Sequence, residues 1–135
     1  MILVDTCVLL DVVQDDPRWA DWSQGQMEHA LEHGGLAINP IVYAEFSVWY
    51  EDMGLLERTL ADMGVAFEVL PREALFLAGK AFRQYRARQG TRSSVLPDFF
   101  IGAHAAVLEV PILTRDTARF RTYFPTVALL APPGH

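Results

Sequence analysis

The chain has 135 residues, which fits one domain with a real core and leaves no room for two. About half of the residues are apolar (51%), yet no apolar run approaches the ~18–20 residues needed to span a membrane. The net charge of −6 argues against a general nucleic-acid binder, and the single cysteine, Cys7, excludes an internal disulfide framework and a cysteine zinc site. The N-terminus Met-Ile-Leu-Val-Asp has neither a basic leader nor a small-residue cleavage site, so a cytoplasmic protein is expected.

Met1–Asp5 reads as a short buried strand that ends in an acid, and Thr6–Val13 as a helix capped by Asp5 or Thr6. Asp15-Asp16-Pro17 marks a second helix start, running to about His33 and stopping at Gly34-Gly35. Leu36–Asn39 is a second strand, and Pro40 opens the helix that carries Glu45. Gly54 interrupts, Leu55–Met63 forms another helix, and Val65–Leu70 a third strand closed by Pro71. Arg72–Gln89 is helical, with Leu75, Ala78, Phe82 and Tyr85 facing inward. Pro97 starts a helix to about Glu109; Pro111–Thr114 is a strand, Arg115-Asp116 a turn, and Thr126–Leu130 the last strand. Alternating short strands and amphipathic helices predict a single α/β domain over residues 1–135 with a mostly parallel sheet.

Charge placement is more informative than the total. On a helix the neighbours of Glu45 are Ile41, Val42, Val48 and Trp49, all apolar, and no Lys or Arg lies between Met27 and Arg58. A carboxylate there needs a cation, a positive side chain or a proton from elsewhere in the fold. In parallel sheets, ligands gather at the carboxyl ends of strands. Asp5 and Asp116 fall there, and Asp98 and Glu45 lie in early turns of helices. A pair of carboxylates ~4 Å apart repels by about 4 kcal/mol at an effective dielectric near 20. Such a cluster is most readily held by a hard divalent cation, Mg²⁺ or Mn²⁺. Taken singly, Asp5, Asp98 and Asp116 also suit helix capping. Thr6 and Thr114 beside the acids either position a water or cap and pack. Asp11, Asp15, Asp16, Glu51 and Asp52 read as solvated surface, and the four histidines lack zinc-ligand spacing.

Between Ala74 and Pro97 five basic residues (Lys80, Arg83, Arg86, Arg88, Arg92) occur with no acid. With Arg115 they are candidates to hold substrate phosphates; a solvated helix face is the alternative. An aspartyl phosphatase would want a second aspartate where Cys7 stands. A receiver domain would need a lysine beyond a late strand, but the sole lysine, Lys80, is inside a helix.

Four segments, in order, resemble a PIN domain, and specifically the VapC-type toxin ribonucleases of type II toxin–antitoxin systems. They are Ile2-Leu3-Val4-Asp5-Thr6, Asn39-Pro40-Ile41-Val42-Tyr43-Ala44-Glu45, Leu96-Pro97-Asp98-Phe99-Phe100-Ile101-Gly102-Ala103-His104-Ala105 and Ile112-Leu113-Thr114-Arg115-Asp116. The resemblance covers about Met1 to Leu130, and the four family acids fall on Asp5, Glu45, Asp98 and Asp116. It implies a three-layer α/β/α fold and Mg²⁺- or Mn²⁺-dependent endoribonuclease activity, with those acids as metal-binding catalytic residues. It also implies a homodimer and a cognate VapB-like antitoxin whose C-terminal segment covers the site, often with a basic residue among the acids. The expected reaction is hydrolysis of an RNA phosphodiester by metal-activated water, leaving 5′-phosphate and 3′-hydroxyl ends. The competing reading is a catalytically silent PIN-fold module that binds nucleic acid or a partner.

Overall fold

The protein is described here by a computed structural model covering residues 1–91 and 95–135. In chain order the elements are β1 (Ile2–Val4), α1 (Thr6–Val13), α2 (Ala20–Glu32), β2 (Leu36–Ile38), α3 (Pro40–Ser47), α4 (Met53–Asp62), β3 (Val65–Phe67), α5 (Arg72–Ala87), α6 (Leu96–Leu108), β4 (Ile112–Leu113), α7 (Ala118–Tyr123) and β5 (Leu129–Leu130). The strands form one sheet in the order β3-β2-β1-β4-β5, parallel throughout. Successive side chains on a strand point to opposite faces. Every residue of β1, β2 and β4 is buried, so helices cover both faces, giving three α/β/α layers. That double burial is why these strands read as unbroken apolar runs rather than alternating ones. The edge strands β3 and β5 are partly exposed.

Helix ends follow from local chemistry. Asp5 caps α1 through the Thr6 amide, Asn39 caps α3 by accepting from the Ile41 and Val42 amides, and Pro40 takes the first helical position, where no amide is needed. Several expected boundaries shift, and the last strand begins at Leu129 rather than near Thr126. Helix α2 begins at Ala20 rather than at Pro17, because the Asp16 carboxylate accepts from the Arg18 and Trp19 amides and holds a separate turn ahead of the helix. Helix α4 begins before Gly54, whose amide donates to the Asp52 cap. Strand β3 stops at Phe67, short of Leu70. The turn at Arg115-Asp116 leads into a further helix, α7, instead of running straight to the last strand.

Helix α5 buries a stripe of alanines, Ala74, Ala78 and Ala81, while Leu75 faces solvent, contrary to the expected inward leucine. Phe82 and Tyr85 continue that stripe into an aromatic cluster with Phe99 and Tyr123, with ring centroids 5.1–6.2 Å apart. Phe124 packs so closely on Gly102 that a Cβ there would lie 2.3 Å from the ring, so α6 needs glycine at this point. This cluster fixes the start of α6, and hence Asp98 beside Phe99, against α5 and α7.

Candidate active site

The sheet grows in both directions from β1, through β2 to β3 on one side and through β4 to β5 on the other. The crevice where strand order reverses lies at the carboxyl ends of β1 and β4. Asp5 leaves β1 there with an extended backbone and is 6% exposed. One carboxylate oxygen accepts from the Thr6 amide and the other from the Thr114 hydroxyl, both at 2.8 Å. The same Thr114 oxygen accepts the Asp116 amide at 3.0 Å, so a single hydroxyl ties the loop after β4 to the residue after β1. Across the crevice the Thr6 hydroxyl donates to Glu45 Oε1 at 2.8 Å, joining α1 to α3. Both threonines therefore act directly on carboxylates.

A second link joins α3 to α6. With Asn39 Oδ1 committed to two helix amides, its amide nitrogen meets Nδ1 of the buried His104 at 3.3 Å. Burial pushes the His104 pKa down and keeps the ring neutral, as an imidazole accepting at Nδ1 requires. The helices carrying Glu45 and Asp98 are thus tied by side chains.

Asp98 is in the first turn of α6 but does not cap it; that position belongs to Val95, which makes no side-chain cap bond. Burial, and then the charges of Asp5 and Asp116, push the Asp98 carboxyl up to about 7, with Arg119 pulling the other way. Burial likewise lifts Asp5 to about 6, with Glu45 and Asp116 adding to the rise and the Thr114 and Thr6 hydrogen bonds opposing it. The four acids thus share one electrostatic field. Among the described residues, the cation that pairs with one of these four acids is Arg119 on α7, whose Nη1 stands 3.8 Å from Asp98. Asp116 is exposed. Cys7 Sγ lies 3.7 Å from Asp5; burial, then the Asp5 charge, push its thiol up to about 12, which leaves it un-ionised and a poor nucleophile.

Glu45 is half-buried, but the expected reason holds only in part. Val42 is buried, whereas α3 ends at Ser47 and sends Val48 and Trp49 into solvent. Trp19 and Trp22 are half-buried and meet edge-on. Lys80, Arg83, Arg86 and Arg88 are exposed along α5, with Arg88 over the Tyr123 ring at 5.4 Å and Arg86 over Phe82 at 6.0 Å. Arg92 lies outside the described residues. Arg115 grips Asp11 through Nε and Nη2 at 2.7 and 2.8 Å, so that edge of its fork is engaged. Asp11 is itself 3% exposed, which overturns its reading as solvated surface. Arg119 escaped sequence reasoning together with its helix. The signal was present in Phe120, Tyr123 and Phe124, apolar at positions i, i+3 and i+4.

Among the described residues no three acids, imidazoles or thiols converge closely enough to enclose an ion as they stand. The donor set nonetheless fits a hard divalent cation. Every candidate ligand is a carboxylate oxygen, and two of them hold raised pKa values that a neighbouring positive ion would relieve.

Comparison with known proteins agrees with this architecture. The family model described as PIN domain matches residues 2–124. Among solved structures, the chain is similar to one in VapBC2 from Rickettsia felis bound to a DNA fragment from their promoter. The TM-score is 0.75 at 17% identity, over 98% of this chain and 99% of that one. It is also similar to a chain of DNA-bound VapBC from Salmonella typhimurium (TM-score 0.69, 16% identity, 97% and 98% covered). A third similarity is to FitAcB from Neisseria gonorrhoeae (TM-score 0.67, 19% identity, 96% of each chain). At these identities the likeness is one of fold. No curated protein sequence matches the chain.

Proposed function

We propose, because this chain belongs to the PIN domain family, that it is a metal-dependent endoribonuclease and the toxin of a toxin–antitoxin pair. One observation carries the reading: burial, with the charges of neighbouring acids of the set Asp5, Glu45, Asp98 and Asp116 adding to it, lifts Asp5 and Asp98 towards neutral pH, and the field of these acids is largely unanswered. A protein that needed only a stable core would not keep such a cluster.

In this reading the four acids hold one or two Mg²⁺ or Mn²⁺ ions, directly or through water. Held by these acids, such an ion would supply Lewis-acid chemistry, lowering the pKa of a bound water and offsetting charge on the leaving oxygen. The chain's own groups set up that chemistry. The Thr114 hydroxyl fixes Asp5 and the Asp116 backbone, and the Thr6 hydroxyl fixes Glu45. Lys80, Arg83, Arg86 and Arg88 line an exposed helix on which a nucleic-acid backbone can lie, and Arg92 belongs to the same basic run. RNA, rather than DNA, is favoured by the family alone.

The partners proposed are a VapB-like antitoxin and a second copy of the chain. What favours a protein partner is an apolar flank beside the sheet edge. Met53 and Phe67 are exposed there and, with Tyr43 and Leu60, line a groove of about 610 Å³; Val48 and Trp49 are exposed just past the end of α3. Among the described residues no helix is long and apolar enough to cross a membrane, and a cytoplasmic site of action is part of the proposal.

The test is cleavage of total cellular RNA by purified protein with Mg²⁺ or Mn²⁺, with EDTA, and with Asp98→Asn. The expected result is discrete fragments with 5′-phosphate ends that need metal and decline by about 10³-fold in the variant, a loss of ~4 kcal/mol of transition-state stabilisation. Ends bearing 2′,3′-cyclic phosphate would refute water attack. Inert wild-type protein, shown free of any bound antitoxin, would put the silent binding module ahead.

A further inference from the structure

We propose that Asp11 and Arg115 form a positioning clamp that holds the segment Thr114–Asp116 in register with Asp5. This rests on the function proposed above. Arg115 stands between two site residues and lies on the loop after β4, whereas Asp11 lies six residues beyond Asp5 on α1. The pair therefore bridges the two chain segments whose upper ends carry Asp5 and Asp116. The clamp is fully made: two parallel contacts at 2.7 and 2.8 Å from the guanidinium, and a third to Asp11 Oδ2 from the Ser23 hydroxyl at 2.6 Å. Trp19 covers the guanidinium at 5.1 Å from its ring centroid.

Two arguments assign this pair to positioning rather than to substrate or to bulk stability. The Nε–Nη2 edge of Arg115 is committed to Asp11, which leaves only the Nη1 side of the guanidinium for a phosphate. An apolar pair of similar volume generally stabilises a fold as well as a buried ion pair does, or better. What the ion pair adds is a fixed direction. Above it, the Thr114 hydroxyl donates to Asp5 and accepts from the Asp116 amide, so a small rotation of the loop would break both contacts. The clamp holds the loop from below and the hydroxyl from above, and Asp116 is aimed by the two together.

The experiment compares wild type with Asp11→Asn, Arg115→Met and the apolar double variant Asp11→Leu/Arg115→Met, which removes both charges and so keeps the fold. Mn²⁺ affinity is titrated by EPR, amide hydrogen exchange is read at Asp116, and kcat and KM are measured on RNA. The clamp predicts about tenfold weaker Mn²⁺ binding in each single variant, the scale seen when partners of metal ligands are removed, and no further loss in the double. It predicts faster exchange at Asp116 with unchanged exchange at Leu3 and Val4, and a lower kcat at constant KM. Unchanged exchange and Mn²⁺ affinity in the folded double variant would overturn it. A KM that rises in Arg115→Met but not in Asp11→Asn would also overturn it, by making Arg115 a phosphate ligand. Wild-type protein that binds no Mn²⁺ would sink the proposed function, and exchange at Asp116 would still decide the clamp.

Discussion

Helix α1 has a buried aspartate towards each end, and the fold treats them oppositely. Asp11 receives a bidentate arginine and a serine hydroxyl. Asp5, buried to a similar degree, receives a backbone amide and a threonine hydroxyl, and faces three further acids. The same helix therefore carries one neutralised carboxylate and one left wanting a cation. The fold can answer a buried acid when a direct answer is available. Among the described residues, Asp5, Glu45, Asp98 and Asp116 have a single ion-pair partner, Arg119 at 3.8 Å from Asp98, and that marks this end of the helix as the working end.

The contrast can be tested first through stability, where the two ends predict opposite signs. Asp11→Ala strands the half-buried Arg115 guanidinium without its partner and costs about 3 kcal/mol. Asp98→Asn instead removes a repelled charge. A carboxyl whose folded pKa is raised contributes stability that is fully present below its unfolded value near 3.8 and is lost as pH climbs through about 7. Metal-free wild type therefore weakens between pH 4 and pH 8. At pH 8 Asp98→Asn is more stable than wild type by about 2 kcal/mol after allowance for its partial exposure. Urea melts in EDTA at pH 5 and pH 8 measure both effects. Equal pH dependence in wild type and Asp98→Asn would mean that burial and the neighbouring acids do not raise the Asp98 carboxyl.

The same contrast explains what the sequence could reveal. Strand ends and helix caps are local, so Asp5 at the end of β1, Asn39-Pro40 opening α3 and Pro97 at the start of α6 were legible, and with them the rim on which the four acids stand. Which acids are answered depends on contacts across the fold. The neighbour argument applied to Glu45 was half wrong, because α3 ends before Val48 and Trp49 can join its face. Asp11 has Cys7 and Val8 one turn back but Gln14 and Asp15 one turn on, so the same argument gives no clear signal for what is the more deeply buried acid. Helix α7 was missed for a related reason. It has six residues, too few to be stable alone, and depends on burial of Phe120 and on Phe124 packed against Gly102.

A second test sharpens the unanswered end alone. A cation binds the ionised acids, so it must displace the proton that Asp98 partly retains near neutrality. With a pKa of about 7, Asp98 is roughly one-tenth ionised at pH 6 and nine-tenths at pH 8. Mn²⁺ affinity should therefore rise about tenfold between those values, with Asp5 adding a smaller increment from its pKa of about 6. Calorimetric titration in buffers of different ionisation enthalpy should show proton release on binding near pH 6.5. Affinity that stays flat from pH 6 to pH 8 would mean that the metal, if bound, does not engage Asp98.

The smallest effect concerns Arg119, which pairs with Asp98 on the rim. It lies 3.8 Å from Asp98 and stacks over Tyr85 at 5.7 Å, so it is an imperfect partner held in place by an aromatic ring. At that distance it offsets only part of the rise that burial and then the neighbouring acids impose, since Asp98 still stands at about 7. Removing it has two opposing consequences. Arg119→Met lets the Asp98 carboxyl rise further, which weakens metal binding at pH 6, where the proton competes. At pH 8, where Asp98 is ionised, the loss of a competing positive charge strengthens Mn²⁺ binding by about threefold. A crossing of the wild-type and variant affinity curves between these pH values is the expected signature. If Arg119 instead holds substrate phosphate, Mn²⁺ affinity changes little and the KM for RNA rises, which would move this arginine from the metal side of the site to the substrate side.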